Sequence, residues 1–146
     1  PFHAKNGFVN VPWEIETSND YMDKLKIKAP NINALCGNLS GGNQQKVILS
    51  KWLAAGVKLL ILDEPTKGID VNARAEFYAL MNQFVEDGGC IIMISSDMPE
   101  VIKVADRAYV MSEGRLTGEL TREEITEINL ISLANPVTDG SDKQAQ

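Results

Sequence analysis

The rhythm of apolar positions changes several times along this chain, and each change marks an element. The second half of residues 43–55 is apolar on several sides (Val47, Ile48, Leu49, Trp52, Leu53, Ala54, Ala55). That predicts a helix buried on more than one face and stopped at Gly56. Residues 59–62 form an unbroken apolar run with no alternation. Such a run is expected of a strand covered on both sides in a parallel sheet. Residues 72–86 place Ala73, Phe77, Leu80, Met81 and Phe84 in one helical stripe, which Gly88-Gly89 ends. Cys90–Ile94 is a second apolar run, and residues 98–105 a short helix with Pro99 in its first turn. Residues 107–111 and 115–120 read as a hairpin around Glu113-Gly114. Thr121 with Glu124 then spells a capping box, and Ile125, Ile128 and Ile131 supply the inner face of a last helix.

The two ends are less patterned. In residues 1–18 the apolar Phe2, Phe8, Val9, Val11, Pro12 and Trp13 follow no period, so this segment reads as irregular. Asn19 or Asp20 can cap a short helix to about Lys28, with Tyr21, Met22 and Leu25 on one side and Pro30 beyond it. Residues 31–38 read as a loop, and residues 135–146 as a frayed polar tail. Strand, helix, strand, helix in this order defines an α/β architecture. Ligands in such sheets sit off the carboxyl ends of the strands, and Asp63-Glu64 and Ser95-Ser96 both fall at such ends.

Composition narrows the function classes. With 146 residues the chain is long enough for a core, and its net charge of −6 argues against nucleic acid as a partner. No apolar run approaches the roughly 20 residues that span a bilayer. Cys36 and Cys90 have no metal-ligand spacing and read as reduced thiols.

Two stretches carry candidate chemistry. Leu39-Ser40-Gly41-Gly42-Asn43-Gln44 opens the first apolar helix. Ser40 can cap it, and Gly41 and Gly42 let another group approach the backbone. The free N–H groups and the helix dipole there favour an anion. An ordinary capped helix after a loop would carry the same residues. Asp63 and Glu64 close an apolar strand, where adjacent carboxylates are costly unless they bind something. Magnesium with a nucleotide answers that cost, since it is held by one or two carboxylates plus phosphate oxygens. Strand-end acids facing solvent are the plainer alternative. Asp70 lies in a turn and can cap the helix beginning near Asn72.

Together these stretches resemble the nucleotide-binding domain of ABC transporters. Residues 39–44 are similar to the family's signature loop, 59–64 to its Walker-B-type strand and 68–70 to its D-loop. Asn43-Gln44-Gln45-Lys46-Val47, Pro65 to Val71 and Ser95-Ser96-Asp97-Met98-Pro99-Glu100 are most similar to the second half of tandem ATPase subunits of ribose/galactose/xylose-type sugar importers. The resemblance covers roughly residues 20–135. It implies ATP and magnesium as cofactors. Asp63 would hold the metal through water, Glu64 would polarise the attacking water, and Asp70 would help set the opposite site. Leu39, Ser40, Gly41, Gly42, Asn43 and Gln44 would face a nucleotide held mainly by the other half.

Ser96 departs from the pattern. Most of the family carries a histidine there, in contact with the γ-phosphate, and the one histidine here is His3. A serine donates a hydrogen bond but no charge, or simply caps the next helix. A larger departure is that no Gly-x-x-x-x-Gly-Lys-[Ser/Thr] occurs. The expectation is therefore a partial P-loop-NTPase-like sheet with flanking helices, lacking the P-loop strand and helix. Residues 19–56 would be part of the helical subdomain and 57–134 the C-terminal part of the ATPase core. The implied partners are the other nucleotide-binding half, membrane-spanning permease subunits and, indirectly, a sugar-binding protein. The implied location is cytoplasmic, peripheral to the inner face of the membrane. Exposed apolar surface on an incomplete sheet also predicts self-association.

Overall fold

The structure, a computed structural model, describes residues 4–5 and 8–136. His3, Phe2 and residues 137–146 of the expected tail lie outside the described residues. The chain forms two compact units, Pro1–Ile94 and Ser95–Gln146.

The first unit opens with a short antiparallel pair, β1 (Ala4–Lys5) and β2 (Phe8–Val9). Helix α1 follows at Val11–Lys24, well before the start expected at Asn19 or Asp20. Its cap is Asn10, whose Oδ1 accepts from the Trp13 backbone N–H at 3.2 Å, and Pro12 sits in its first turn. Its inner face is half-buried rather than buried, with Trp13, Thr17 and Tyr21 recurring every four residues, and the polar Thr17 breaks the apolar pattern in the sequence. The helix also ends at Lys24, six residues before Pro30, where the backbone turns through Lys26 at φ +50°. The chain is then anchored by the buried Leu25 and Ile27.

A 3-10 turn at Cys36–Asn38 leads to α2 (Gly41–Ala54), which packs on α1 and on α3 (Val71–Glu86). Helix α3 joins two parallel strands, β3 (Leu59–Asp63) and β4 (Cys90–Ile94), paired from Leu59 with Cys90 to Asp63 with Ile94. The buried stripe of α3 is Phe77, Tyr78, Met81 and Phe84, with Leu80 half-buried. Both strands were expected to be covered on two sides, and they are not. Leu60 is buried, but Leu59, Ile61, Ile92 and Ile94 are exposed, Ile61 by 65%. A continuous apolar run states that a strand can be covered twice; what covers it has to come from elsewhere.

The second unit contains α4 (Met98–Val104), the hairpin β5 (Arg107–Ser112) and β6 (Arg115–Thr121), and α5 (Glu127–Ala134). Glu113 and Gly114 take positive φ, as a two-residue hairpin turn requires. The core is Ala108, Val110, Leu120, Ile125 and Leu130, flanked by Met98, Val101, Ile102 and Leu133. The Thr121–Glu124 capping box forms, but it heads a 3-10 turn at Arg122–Glu124, and Thr126 caps α5. That interruption shifts the register of the last helix. Its inner face is Leu130 and Leu133, while Ile128 is 79% and Ile131 44% exposed, contrary to the expected face.

Candidate functional site

The loop at residues 39–44 has a geometry that the residue types alone do not determine. Ser40 holds the cap position of α2, with extended backbone, yet its hydroxyl makes no bond to the helix N–H groups. Its Oγ instead accepts from the Asn43 side-chain amide at 2.8 Å. The Asn43 Oδ1 accepts from the Lys28 backbone N–H at 2.8 Å. The Gln44 side-chain amide donates to the Leu39 carbonyl at 2.8 Å, and the Gln44 backbone N–H to the Ser40 carbonyl at 2.9 Å. The two glycines differ. Gly41 is exposed, whereas Gly42 is buried, and a Cβ on Gly42 would lie 2.5 Å from the Ala73 Cβ and 3.3 Å from the Ile69 Cγ2. The group that approaches Gly42 is thus the start of α3 in the same chain.

That contact joins the loop to the turn at residues 68–70. Gly68 turns at φ +78°, and the Ile69 N–H donates to the carbonyl of the buried Thr66 at 3.2 Å. Asp70 caps α3, its Oδ1 accepting from the backbone N–H of Asn72 at 3.1 Å and of Ala73 at 2.9 Å. Asp63 is exposed at the end of β3. Glu64 is half-buried and sits at φ +46°, a region that costs a non-glycine residue roughly 1–2 kcal/mol. It is held there by its N–H donating to the Ile94 carbonyl at 2.9 Å and by its carbonyl accepting from the Lys67 N–H at 3.2 Å. The geometry therefore gathers residues 39–44 with 68–73, and Asp63-Glu64 with the end of β4.

Ser96 belongs to the second unit and is exposed. It is not the cap of the next helix. Asp97 is, accepting from the Glu100 N–H at 3.4 Å. Its neighbour Ser95 donates to the Glu100 carboxylate at 2.6 Å and accepts from the Asp97 N–H at 3.0 Å. Glu100 is only 2% exposed, a role for this acid that its place in the motif did not reveal.

Sequence reasoning also missed Lys46. This residue of α2 is 4% exposed, with its ammonium 2.6 Å from the Glu76 carboxylate of α3 and 3.5 Å from the Lys26 carbonyl. The hydrogen bond from Lys46, and then its charge, hold the Glu76 carboxyl below its ordinary range. Spacing carried a signal: Gly42, Lys46 and Leu49 are the buried residues of α2, at helical intervals of four and three.

Among the described residues no three His, Cys, Asp or Glu side chains group as a metal site. Asp63 and Glu64 suit magnesium only as the protein's one or two oxygens beside water and phosphate, which is how that ion is commonly held. No helix among the described residues is long and apolar enough to cross a membrane.

This arrangement of helices on a parallel strand pair, with acids at the strand end, has part of the fold of an ATP-binding cassette. A nucleotide-free ATP-binding cassette from an ABC transporter superposes with a TM-score of 0.71 at 24% identity, over 83% of this chain and 46% of that one. The family model described as ABC transporter matches residues 5–67. The xylose import ATP-binding protein of Moorella thermoacetica is 50% identical over 88% of this chain and 26% of its own length. The ribose import ATP-binding protein of Clostridium tetani is 50% identical over 86% of this chain and 25% of its own length. This chain belongs to the ABC transporter family, and spans about a quarter of the length of these relatives.

Proposed function

We propose that the chain is part of the ATP-hydrolysing subunit that drives import of a monosaccharide. Support for ATP comes from one observation above others: the start of α2 carries no side-chain cap bond, with Ser40 and Gly41 exposed beside it. Sugar import rests on the relatives, both import ATP-binding proteins for pentoses.

In this reading Ser40 and the exposed Gly41 backbone face a phosphate held by the opposite nucleotide-binding half. The open N–H groups of the first turn of α2 add their partial positive charge. Asp63 would hold magnesium, which when bound would supply positive charge against the phosphates. Glu64, fixed by its bond to the Ile94 carbonyl, accepts a hydrogen bond from the attacking water and polarises it. Asp70 spends one carboxylate oxygen on capping α3 and presents its exposed edge to the other half. Ser96 stands at the γ-phosphate-sensing position with a hydroxyl alone. Catalysis is positioning and electrostatics around the transferred phosphoryl group. The partners are the other nucleotide-binding half and two permease subunits, served by a sugar-binding protein. The location is the cytoplasmic face of the membrane.

The test is hydrolysis by the complete subunit with its permease in vesicles. Glu64→Gln is expected to slow single-turnover phosphate release at the site it serves by about a hundredfold, within the usual range for losing a general base. Ser96→His is expected to raise turnover. Unchanged phosphate release in Glu64→Gln contradicts the reading; unchanged turnover in Ser96→His removes that residue from it.

A further inference from the structure

Ser40 is an exposed polar residue of the loop, beside the half-buried Asn43 and Gln44, and its hydroxyl meets an identifiable chain of bonds. The chain starts at the Lys28 backbone N–H, which can only donate. The Asn43 atom that meets it at 2.8 Å must therefore be the carbonyl oxygen. The other end of the Asn43 amide is then the NH2 group, and it lies 2.8 Å from the Ser40 Oγ. An NH2 group can only donate, so Ser40 accepts there. A serine hydroxyl that accepts on one side retains its own O–H to donate on another. Ser40 does not spend that proton or its oxygen on the helix, since no side-chain cap bond forms at α2.

We propose that Asn43 is a positioning residue that fixes the direction of the Ser40 hydroxyl, turning its O–H outward as a donor to a phosphoryl oxygen of the nucleotide. This rests on the function proposed above. It gives Asn43 a different role from the rest of residues 39–44: it acts through Ser40, with its own polar atoms spent on Lys28 and Ser40. The relay also runs from the backbone beyond α1 to the phosphate-facing loop. The segment at Lys26 and Lys28 is pinned to α2 twice, by Asn43 and by the Lys46 ammonium beneath it.

A double-mutant cycle in the complete subunit tests this. Ser40→Ala and Asn43→Ala should each lower ATP turnover roughly ten- to a hundredfold, the size of one charge-assisted hydrogen bond. If Asn43 works through the hydroxyl, Asn43→Ala adds little to Ser40→Ala. Multiplying losses in the double variant overturn the proposal. Asn43→Asp separates the relay from simple support of the loop. Its carboxylate still accepts from Lys28, so exchange protection of the Lys28 amide should persist. The same carboxylate can only accept from Ser40, which turns the proton inward, so turnover should fall at least as far as in Asn43→Ala. Wild-type turnover in Asn43→Asp overturns the proposal. Full turnover in Ser40→Ala removes the phosphate role of Ser40 and the relay with it, and a loss in Ser40→Ala with a multiplicative cycle removes the relay alone, whereas no ATP turnover in the wild-type subunit removes the parent reading.

Discussion

At residue 42 the chain has no room for a methyl group. A Cβ there would meet the Ala73 Cβ at 2.5 Å, while one on Gly41 would find the Gly68 carbonyl at 3.4 Å and the Ile69 Cγ2 at 3.6 Å, ordinary contact distances. Two adjacent glycines therefore do separate work: Gly42 closes α2 onto α3, and Gly41 keeps the exposed turn bare. Gly42→Ala forces the helices apart and is expected to destabilise by about 1–3 kcal/mol, the usual cost of overpacking. Gly41→Ala is expected to leave the urea midpoint unchanged or slightly higher, since alanine suits a helix better than glycine. The same variant should impair phosphate contact. Equal losses of stability at both positions would show that the division is wrong. Neither glycine's partner was visible in the run Ser-Gly-Gly, because Ala73 lies 31 residues beyond Gly42.

At the scale of elements, α2 and α3 are tied by Lys46 and Glu76. The Glu76 carboxyl is held low, first by the Lys46 hydrogen bond. A carboxyl lowered in the folded state stabilises above its unfolded pKa, about 4.3 for glutamate. That contribution is lost as pH falls through the lower folded value. Glu124 acts in the same window, lowered first by the Thr121 backbone N–H. Glu76→Gln should therefore make the fall of the urea midpoint from neutral pH to pH 3 shallower, without abolishing it. The pair is also unequal: the Lys46 side chain is 5% exposed and that of Glu76 56%. Glu76→Ala strands a buried ammonium and should cost more than Lys46→Met, which leaves Glu76 to solvent. The reverse order would contradict the assigned burial.

What was legible in the sequence follows from range. The Asp70 cap and the hairpin turn depend on neighbours within three residues and were readable. The strands were readable as strands from their apolar runs, but not their open face, which depends on what else packs there. Helix α1 half-buries Trp13, Thr17 and Tyr21 at a spacing of four, a period that the polar Thr17 obscures, and the 3-10 turn at Arg122–Glu124 displaced the face of α5. The candidate residues were legible by type and order. The bonds that orient Ser40 were not, because Lys28 and Asn43 are 15 residues apart.

At the scale of the whole chain, the proposed roles are halves of sites. In that proposal Ser40 and Gly41 would address a phosphate that something else grips, and Asp63 and Glu64 would supply two carboxylates to a nucleotide whose own charge repels them. No Gly-x-x-x-x-Gly-Lys-[Ser/Thr] loop occurs in the 146 residues to outweigh that repulsion with backbone N–H groups and a lysine. Equilibrium titration of this chain with ATP, with and without magnesium, is therefore expected to show no binding in the micromolar range. Concentrated protein should also scatter light as copies meet through Leu59, Ile61, Ile92 and Ile94, and Ile61→Lys should shift it toward monomer. A clean monomer at high concentration would mean that this face is not adhesive. Micromolar binding that disappears in Asp63→Asn would mean that a nucleotide site exists without the glycine loop, and that the phosphates are held by residues other than those assigned to them.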